Sequence, residues 1–539
     1  MKKSVLTWFF VMTGIFVYAQ EEKTGLAEKI DQAFKPVSDW WSSIIFYSIK
    51  FGTDENSVQI PLVLLILIGG ATFFTIYFGF PQWKLFKTSL KVVAGKYDDI
   101  DVHDSYVPAD DPLMEYPGED IPETIKVEGE HHGEVSHFQA LSAALSATVG
   151  LGNIAGVAVA IAIGGPGATF WMILAGLLGM ASKFTECTLG VKYRDIGPDG
   201  TVYGGPMYYL RKGLSKKGMK LLGQFLAIFF AVMVVGGSFG GGNMFQANQA
   251  AAQFMELFGI QNNDWRVVFG ILLAVLVGIV IIGGIKRIGK VAEKIVPFMA
   301  VLYVGAALLI LVMHYHLIPK AFSVIFEQAF SPQAGLGGFI GVMIQGFRRG
   351  TFSNEAGVGS AAIAHSAVKT KFPASEGIVA LLEPFIDTVV ICTMTALVLV
   401  ITNLKYGLFE YGDDSVQGKG VELTAQAFDS VIPHFSVILT VAVILFAFST
   451  MLSWSYYGLQ GWKFLFGRSK TADLTYKFLF LFFLVVGASV KLGSVLDFSD
   501  AMIFAMVFPN IIGVILLAPE VRHELKRYLK AIRNKDSGK

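Results

Sequence analysis

The sequence predicts an all-α polytopic membrane protein, and three observations carry the prediction. Of 539 residues, 53% are hydrophobic and only 16% are charged, against roughly 25% charged in an average soluble chain. Apolar runs long enough to cross a hydrocarbon core of about 30 Å recur along the chain. Lys and Arg collect in short blocks between those runs. A mean hydropathy of +0.57 excludes disorder, which needs low hydrophobicity and high net charge. A formal charge of +1 without a basic stripe gives no expectation of a nucleic-acid partner.

Taken in order, residues 1–20 read as a signal peptide: Lys2 and Lys3, an apolar run, and an end near Ala19. Residues 21–57 form an outer, periplasmic segment whose Trp40, Trp41, Ile44, Ile45 and Phe46 suit the membrane interface. The first span is 58–80, and Lys84, Lys87, Lys91 and Lys96 place its end in the cytoplasm. Further spans fall at 138–163, 167–192, 219–256, 265–284, 294–314, 336–366, 376–402, 433–460, 473–492 and 497–518, eleven in all. The basic blocks alternate as this count requires, with the N-terminus outside, a basic tail (519–539) in the cytoplasm, and the whole in the inner membrane.

The cytoplasmic segment 81–136 turns acidic from residue 97. Its His131, His132 and His137, near Glu130 and Glu134, read as solvated side chains rather than a metal site. Cys187 and Cys392 lie in apolar stretches and read as inert structural thiols.

Two spans are interrupted. The second contains Ser146-Ala147-Thr148-Val149-Gly150-Leu151-Gly152-Asn153-Ile154-Ala155-Gly156, and the seventh contains Gly350-Thr351-Phe352-Ser353-Asn354-Glu355-Ala356-Gly357-Val358-Gly359-Ser360. Glycine eases the backbone out of helical angles. Unwound backbone at membrane depth is tolerated only where it is buried in protein or lines a cavity. There, freed N–H groups hold a carboxylate and freed carbonyls hold a hard cation. A single glycine-rich span is as readily explained by close helix packing. The two breaks, however, lie five spans apart, which makes spans two to six (137–314) and seven to eleven (315–518) candidate inverted repeats with a midplane site between them.

The chain resembles the sodium:alanine (alanine or glycine:cation) symporters. The resemblance is carried by Ala147–Gly156, Gly164–Met172, Gly204–Leu210, Asn243–Asn248, Gly350–Ser360 and Phe446–Gly458. It departs from the family's pattern at Leu151, where a hydroxyl residue is common, and in its longer acidic loop. The resemblance implies a leucine-transporter-type fold, a five-plus-five inverted repeat behind one extra N-terminal helix. It also implies Na⁺-driven uptake of alanine or glycine, with the bilayer as surroundings, Na⁺ as coupling ion and no other cofactor.

Each residue has a plain alternative beside its role. The backbone of Gly150, Leu151 and Gly152 would take the substrate carboxylate, with Asn153 beside it unless Asn153 only caps the second half-helix. Gln246, implicated by the resemblance, would face the same cavity or merely bond between helices. Carbonyls from Thr351 to Asn354 would accept the ammonium group, and Trp454 would set pocket size unless it is ordinary core. The resembled fold's Na⁺ position falls on the carbonyls of Ser146 and Val149 and the hydroxyls of Ser449 and Thr450, although such hydroxyls commonly bond back into their own helix. Among charges at membrane depth, Lys183, Glu186, Arg348, Arg349, Glu355, Glu383 and Asp387, an Arg–carboxylate pair drawn from Arg348, Arg349 and Glu355 is expected as a cytoplasmic gate.

A channel would need polar lining along several helices. An enzyme would need a nucleophile–base pair or metal ligands inside spans, and the sequence has no GxSxG or HExxH. A proton-coupled or broader-specificity carrier is the alternative within the transporter class.

Overall fold

A computed structural model describes residues 26–52, 57–102, 134–197, 201–282, 284–330, 335–412 and 419–537. The expected signal peptide, His131, His132 and most of the acidic loop lie outside the described residues.

The first element, α1 (Leu26–Ile45), is amphipathic. It leaves Trp40 exposed and sets Phe34 edge-on to Phe498, with centroids 5.1 Å apart. A hairpin follows, pairing β1 (Ser48–Phe51) with β2 (Val58–Pro61). The first apolar helix, α2 (Leu62–Tyr77), therefore begins four residues later than the hydropathy suggests. Pro61 suits that start, since a proline lacks the N–H that a helix interior uses and has its φ preset for a helix entrance.

The expected second span is two helices. α3 (His137–Thr148) is opened by a reciprocal cap between Ser136 and Gln139. α4 (Gly152–Gly164) leaves it at 52°. Then come α5 (Ala168–Lys192), α6 (Lys220–Phe258), α7 (Trp265–Ile281) and α8 (Lys290–Met313). The expected seventh span is α9 (Gly335–Asn354), a turn, and the short α10 (Ala361–His365). In that turn Glu355 adopts φ +56°, a left-handed angle that is uncommon outside glycine. α11 (Pro373–Tyr406), α12 (Phe435–Phe466), α13 (Lys470–Ser489) and α14 (Leu492–Asp536) complete the order.

Seven described helices are long and apolar enough to cross a membrane, or eight counting the bent pair α3–α4. The apolar α2 and α7 are shorter, 16 and 17 residues. The basic tail is no separate segment, because α14 runs through it to Asp536. Wide π-type turns interrupt α4 at Gly152–Gly156, α6 at Gly240–Met244 and α11 at Phe385–Cys392, a feature frequent at functional sites. All three, together with the turn after α9, converge on the centre of the bundle.

Candidate functional site: the paired helix breaks

At the first break, α3 ends at Thr148 and Val149 turns away from helical ψ. The Gly150 N–H donates to Asn153 Oδ1 (2.8 Å) and the Leu151 N–H to Gln246 Oε1 (3.2 Å). Glycine is required at 150, because a Cβ there would stand 2.4 Å from Thr450 Oγ1. Gly152 lets the strand of backbone approach Ser353 across the bundle, where an added Cβ would lie 3.3 Å from Ser353 Cα. The two breaks are in contact.

Asn153 faces away from the cavity. Its Nδ2 donates to Asp387 Oδ1 (2.6 Å) while its oxygen accepts the Gly150 N–H. Asn153 does not cap the second half-helix, whose N-cap is Leu151 without a side-chain bond; it ties the unwound turn to Asp387 instead. At the second break, Ser353 Oγ donates to Asp387 Oδ2 (2.9 Å). Asn354 accepts the Ala356 N–H (2.9 Å) and donates to Thr388 Oγ1 (2.9 Å), and the Thr351 carbonyl accepts the Glu355 N–H (2.8 Å). Thr351 and Asn354 thus hold the turn together, and neither lines the cavity. Asp387 was legible only as a charge at membrane depth; its part as a tie between the breaks was not.

Between the breaks lies a space of about 10 Å³, bounded by Gly152, Gln246, Phe352, Ser353, Glu355 and Trp454 among others. That is room for a single water. Trp454 packs on Gly242, and its Nε1–H donates to Glu355 Oε1 (2.9 Å). The other carboxylate oxygen of Glu355 accepts from Ser360. The wall therefore carries a buried carboxylate that sequence reasoning assigned elsewhere.

The residues expected around Na⁺ are brought together. Thr450 Oγ1 donates to the Ser146 carbonyl (3.2 Å) and Ser146 Oγ to the Ser449 carbonyl (3.1 Å). Ser449 Oγ bonds back to Phe446 (3.0 Å), and Val149 follows α3 at the same end. Oxygen atoms of this kind fit a hard cation.

The arginines pair with a different carboxylate from the one expected. Arg348 Nε donates to Asp500 Oδ2 (2.7 Å), and Arg349 shares that oxygen. Glu355 is held instead by Trp454 and Ser360. His137 also differs from expectation: it is buried, with Asp101 at 3.2 Å and Glu376 on its other nitrogen.

A helical bundle with two discontinuous spans meeting over a small, polar, centrally buried cavity is the architecture of a membrane transporter. Residues 119–539 match the profile of the sodium:alanine symporter family. The chain belongs to that family, and its function is Na⁺-coupled transport of an amino acid. It is similar to the "Sodium/alanine symporter AgcS" of Methanococcus maripaludis, 40% identical over 485 residues, 89% of this chain and 97% of that protein. It is also similar to the "Putative sodium/proton-dependent alanine carrier protein YrbD" of Bacillus subtilis, 38% identical over 403 residues, 73% of this chain and 81% of that one. Among solved structures, MhsT in complex with L-phenylalanine matches with a TM-score of 0.47 and 16% identity, over 72% of this chain and 99% of that one.

Proposed function

We propose that the protein couples Na⁺ influx to uptake of alanine or glycine by alternating access, from the outside to the cytoplasm of an inner membrane. The observation that carries this reading is Gln246: its amide oxygen sits on the Leu151 N–H at the start of α4, the position a carboxylate would take at a helix N-terminus. Substrate displaces that oxygen and takes the N–H groups of the first break. Its ammonium group meets Glu355 on the opposite wall, and Trp454 limits the side chain to a methyl group or a hydrogen. Na⁺ binds at the Ser146 carbonyl and the Thr450 hydroxyl, directly behind Gly150. Because the ion and the carboxylate order the same short backbone, each raises the other's affinity, by necessity to the same extent.

The N-terminus is outside and the C-terminus inside on this reading. α9 then enters from outside, so Arg348, Arg349 and Asp500, ahead of the break, form an outer gate rather than the cytoplasmic one first expected. In a small space of about 10 Å³, substrate is admitted only when that gate and the bundle behind it part. A proton beside or in place of Na⁺ is the second reading; YrbD is named as sodium/proton-dependent.

Radiolabelled alanine uptake into proteoliposomes, with an imposed Na⁺ gradient against equimolar K⁺ or choline, tests the proposal. Accumulation should require Na⁺, and Thr450→Ala should weaken it in a way that higher Na⁺ restores. Uptake driven by a pH gradient and indifferent to Na⁺ overturns the ion assignment. Absence of alanine and glycine accumulation overturns the substrate.

A further inference from the structure

Away from the cavity, six ionisable side chains from five segments form one continuous buried row. Asp101 contacts His137 Nε2 at 3.2 Å, and His137 Nδ1 contacts Glu376. The other oxygen of Glu376 contacts His365 Nδ1, and His365 Nε2 contacts Glu383. Glu383 in turn contacts Lys183 Nζ at 3.0 Å. Signs alternate along the row, and none of the six is more than 5% exposed.

The chemistry of the contacts counts protons. Each imidazole has a carboxylate oxygen on both of its nitrogens, so the four contacts need four N–H or O–H hydrogens. Two neutral rings supply two. The remaining two are additional, titratable protons, whether they are drawn on the rings or on the carboxyls. Remove one, and a nitrogen lone pair faces an oxygen lone pair in a buried site.

The row is also mechanical. His137 is the first residue of α3, the half-helix ahead of the break. The carboxylate it shares with His365 belongs to α11, and Asp101 accepts from Thr370 (2.9 Å), ahead of α11, and from Tyr528 of α14 (3.4 Å). The backbone repeats the link, with Glu134 N–H on the Ala367 carbonyl (2.7 Å). At the far end, Lys183 stands nine residues before the end of α5, about 13 Å along the axis, and its next carboxylate neighbour is Glu355 in the cavity wall.

We propose that this row is a proton-binding lock. With its two extra protons it ties the free end of α3 to α11 and α5; loss of those protons to water releases that end. On the orientation proposed above, this end faces the cytoplasm, so an alkaline interior opens the inner path and an acidic one holds it shut. Only this last step rests on the proposed orientation and function; the proton site does not.

Other charged or titratable groups facing the row are accounted for. Arg194 donates to the carbonyls of Ser366 and Thr370 and lies near Glu376. From α5, Cys187 and Glu186 face Glu383, and from α12 Tyr457 does. Glu186 accepts from Asn510 (2.7 Å). None of these places a donor between a ring nitrogen and its carboxylate.

Hydrogen exchange of the purified protein, read by mass spectrometry from pH 6.5 to 9.5 and corrected for intrinsic rates, tests the lock. Protection of residues 137–148 should fall at least tenfold as pH rises, reversibly, while α13 keeps its protection. His137→Gln and His365→Gln should give the open level already at pH 6.5 and flatten the profile. A flat wild-type profile overturns the proposal, and so does a His variant that keeps the wild-type pH dependence. The wild-type titration decides even where a variant fails to fold. Absence of alanine uptake beside the expected exchange profile would overturn the substrate reading and leave the lock standing.

Discussion

Asn153 and Ser353, two hundred residues apart and each beside a helix break, are held by the two oxygens of one carboxylate: Asp387 Oδ1 lies 2.6 Å from Asn153 Nδ2, and Oδ2 lies 2.9 Å from Ser353 Oγ. The tie fixes the distance between the unwound segments, so it sets the geometry of the ion and substrate groups without lining the cavity itself. Hydrogen bonds to a charged acceptor contribute about 1.5–3 kcal/mol each. Asp387→Ala should therefore lower thermal stability by about 3 kcal/mol and weaken Na⁺ and alanine binding together. Asp387→Asn, which retains one acceptor, should lose about half as much. A change in only one of the two affinities would show that the breaks are not coupled through this residue.

Gly150→Ala is expected to act on the ion more than on the fold. The new methyl would meet Thr450 Oγ1 at 2.4 Å and push that hydroxyl off the Ser146 carbonyl. Half-maximal Na⁺ for alanine uptake should rise about tenfold, the equivalent of about 1.4 kcal/mol. Alanine affinity at saturating Na⁺ should move less.

Trp454 both fills space and holds Glu355. Trp454→Ala should admit larger neutral amino acids, visible as competition of alanine uptake by leucine or methionine. Trp454→Phe removes the indole N–H and one of the two fused rings, so it should weaken substrate binding and widen the pocket less than Trp454→Ala does. If Trp454→Ala keeps the wild-type substrate range, the residue is not the wall.

Asp500 balances two guanidinium groups, with Arg348 at 2.7 Å. Removing one partner of a buried ion pair costs about 3–5 kcal/mol, because the remaining charge is left uncompensated. Asp500→Asn should destabilise the shut state and raise labelling of a cysteine placed at Ile503 by a membrane-impermeant reagent from outside. Labelling from the inside alone would reverse the side on which this gate lies.

The last turns of α14 clasp the segment after α2. A hydrogen bond from Lys535 holds the Asp99 carboxyl below the usual carboxylate range, and one from Lys96 does the same for Asp536. A depressed carboxyl binds fewer protons folded than unfolded, so its contribution is present at neutral pH and is lost as pH falls below about 4. Residues 526–537 should lose exchange protection there before the core does.

The two breaks were legible because there are two of them, five spans apart in apolar sequence, whereas Ser146 and Thr450 came from the family resemblance. The orientation of Asn153 and Asn354 was not legible. An amide at a break satisfies backbone or ligand equally well, and which it does depends on what the facing helix offers, here Asp387 and Thr388. The partner of Arg349 lies 151 residues away, beyond any local pattern. The buried histidine row draws on several segments and leaves no motif at all. The hairpin at β1–β2 replaced part of an expected span because hydropathy does not register a proline's demand on the backbone before it.

α14 touches both α1 and the segment after α2. Ser494 near its start accepts from Ser38 of α1 (2.9 Å), and Lys535 at its end reaches the Lys96 carbonyl. At 45 residues the helix is about 67 Å long, more than twice the thickness of a bilayer's core. Its two stretches, Leu492–Ala505 and Val507–Asp536, meet at Met506, so a tilt imposed at one surface would reach the other through that joint, along a route that bypasses the cargo.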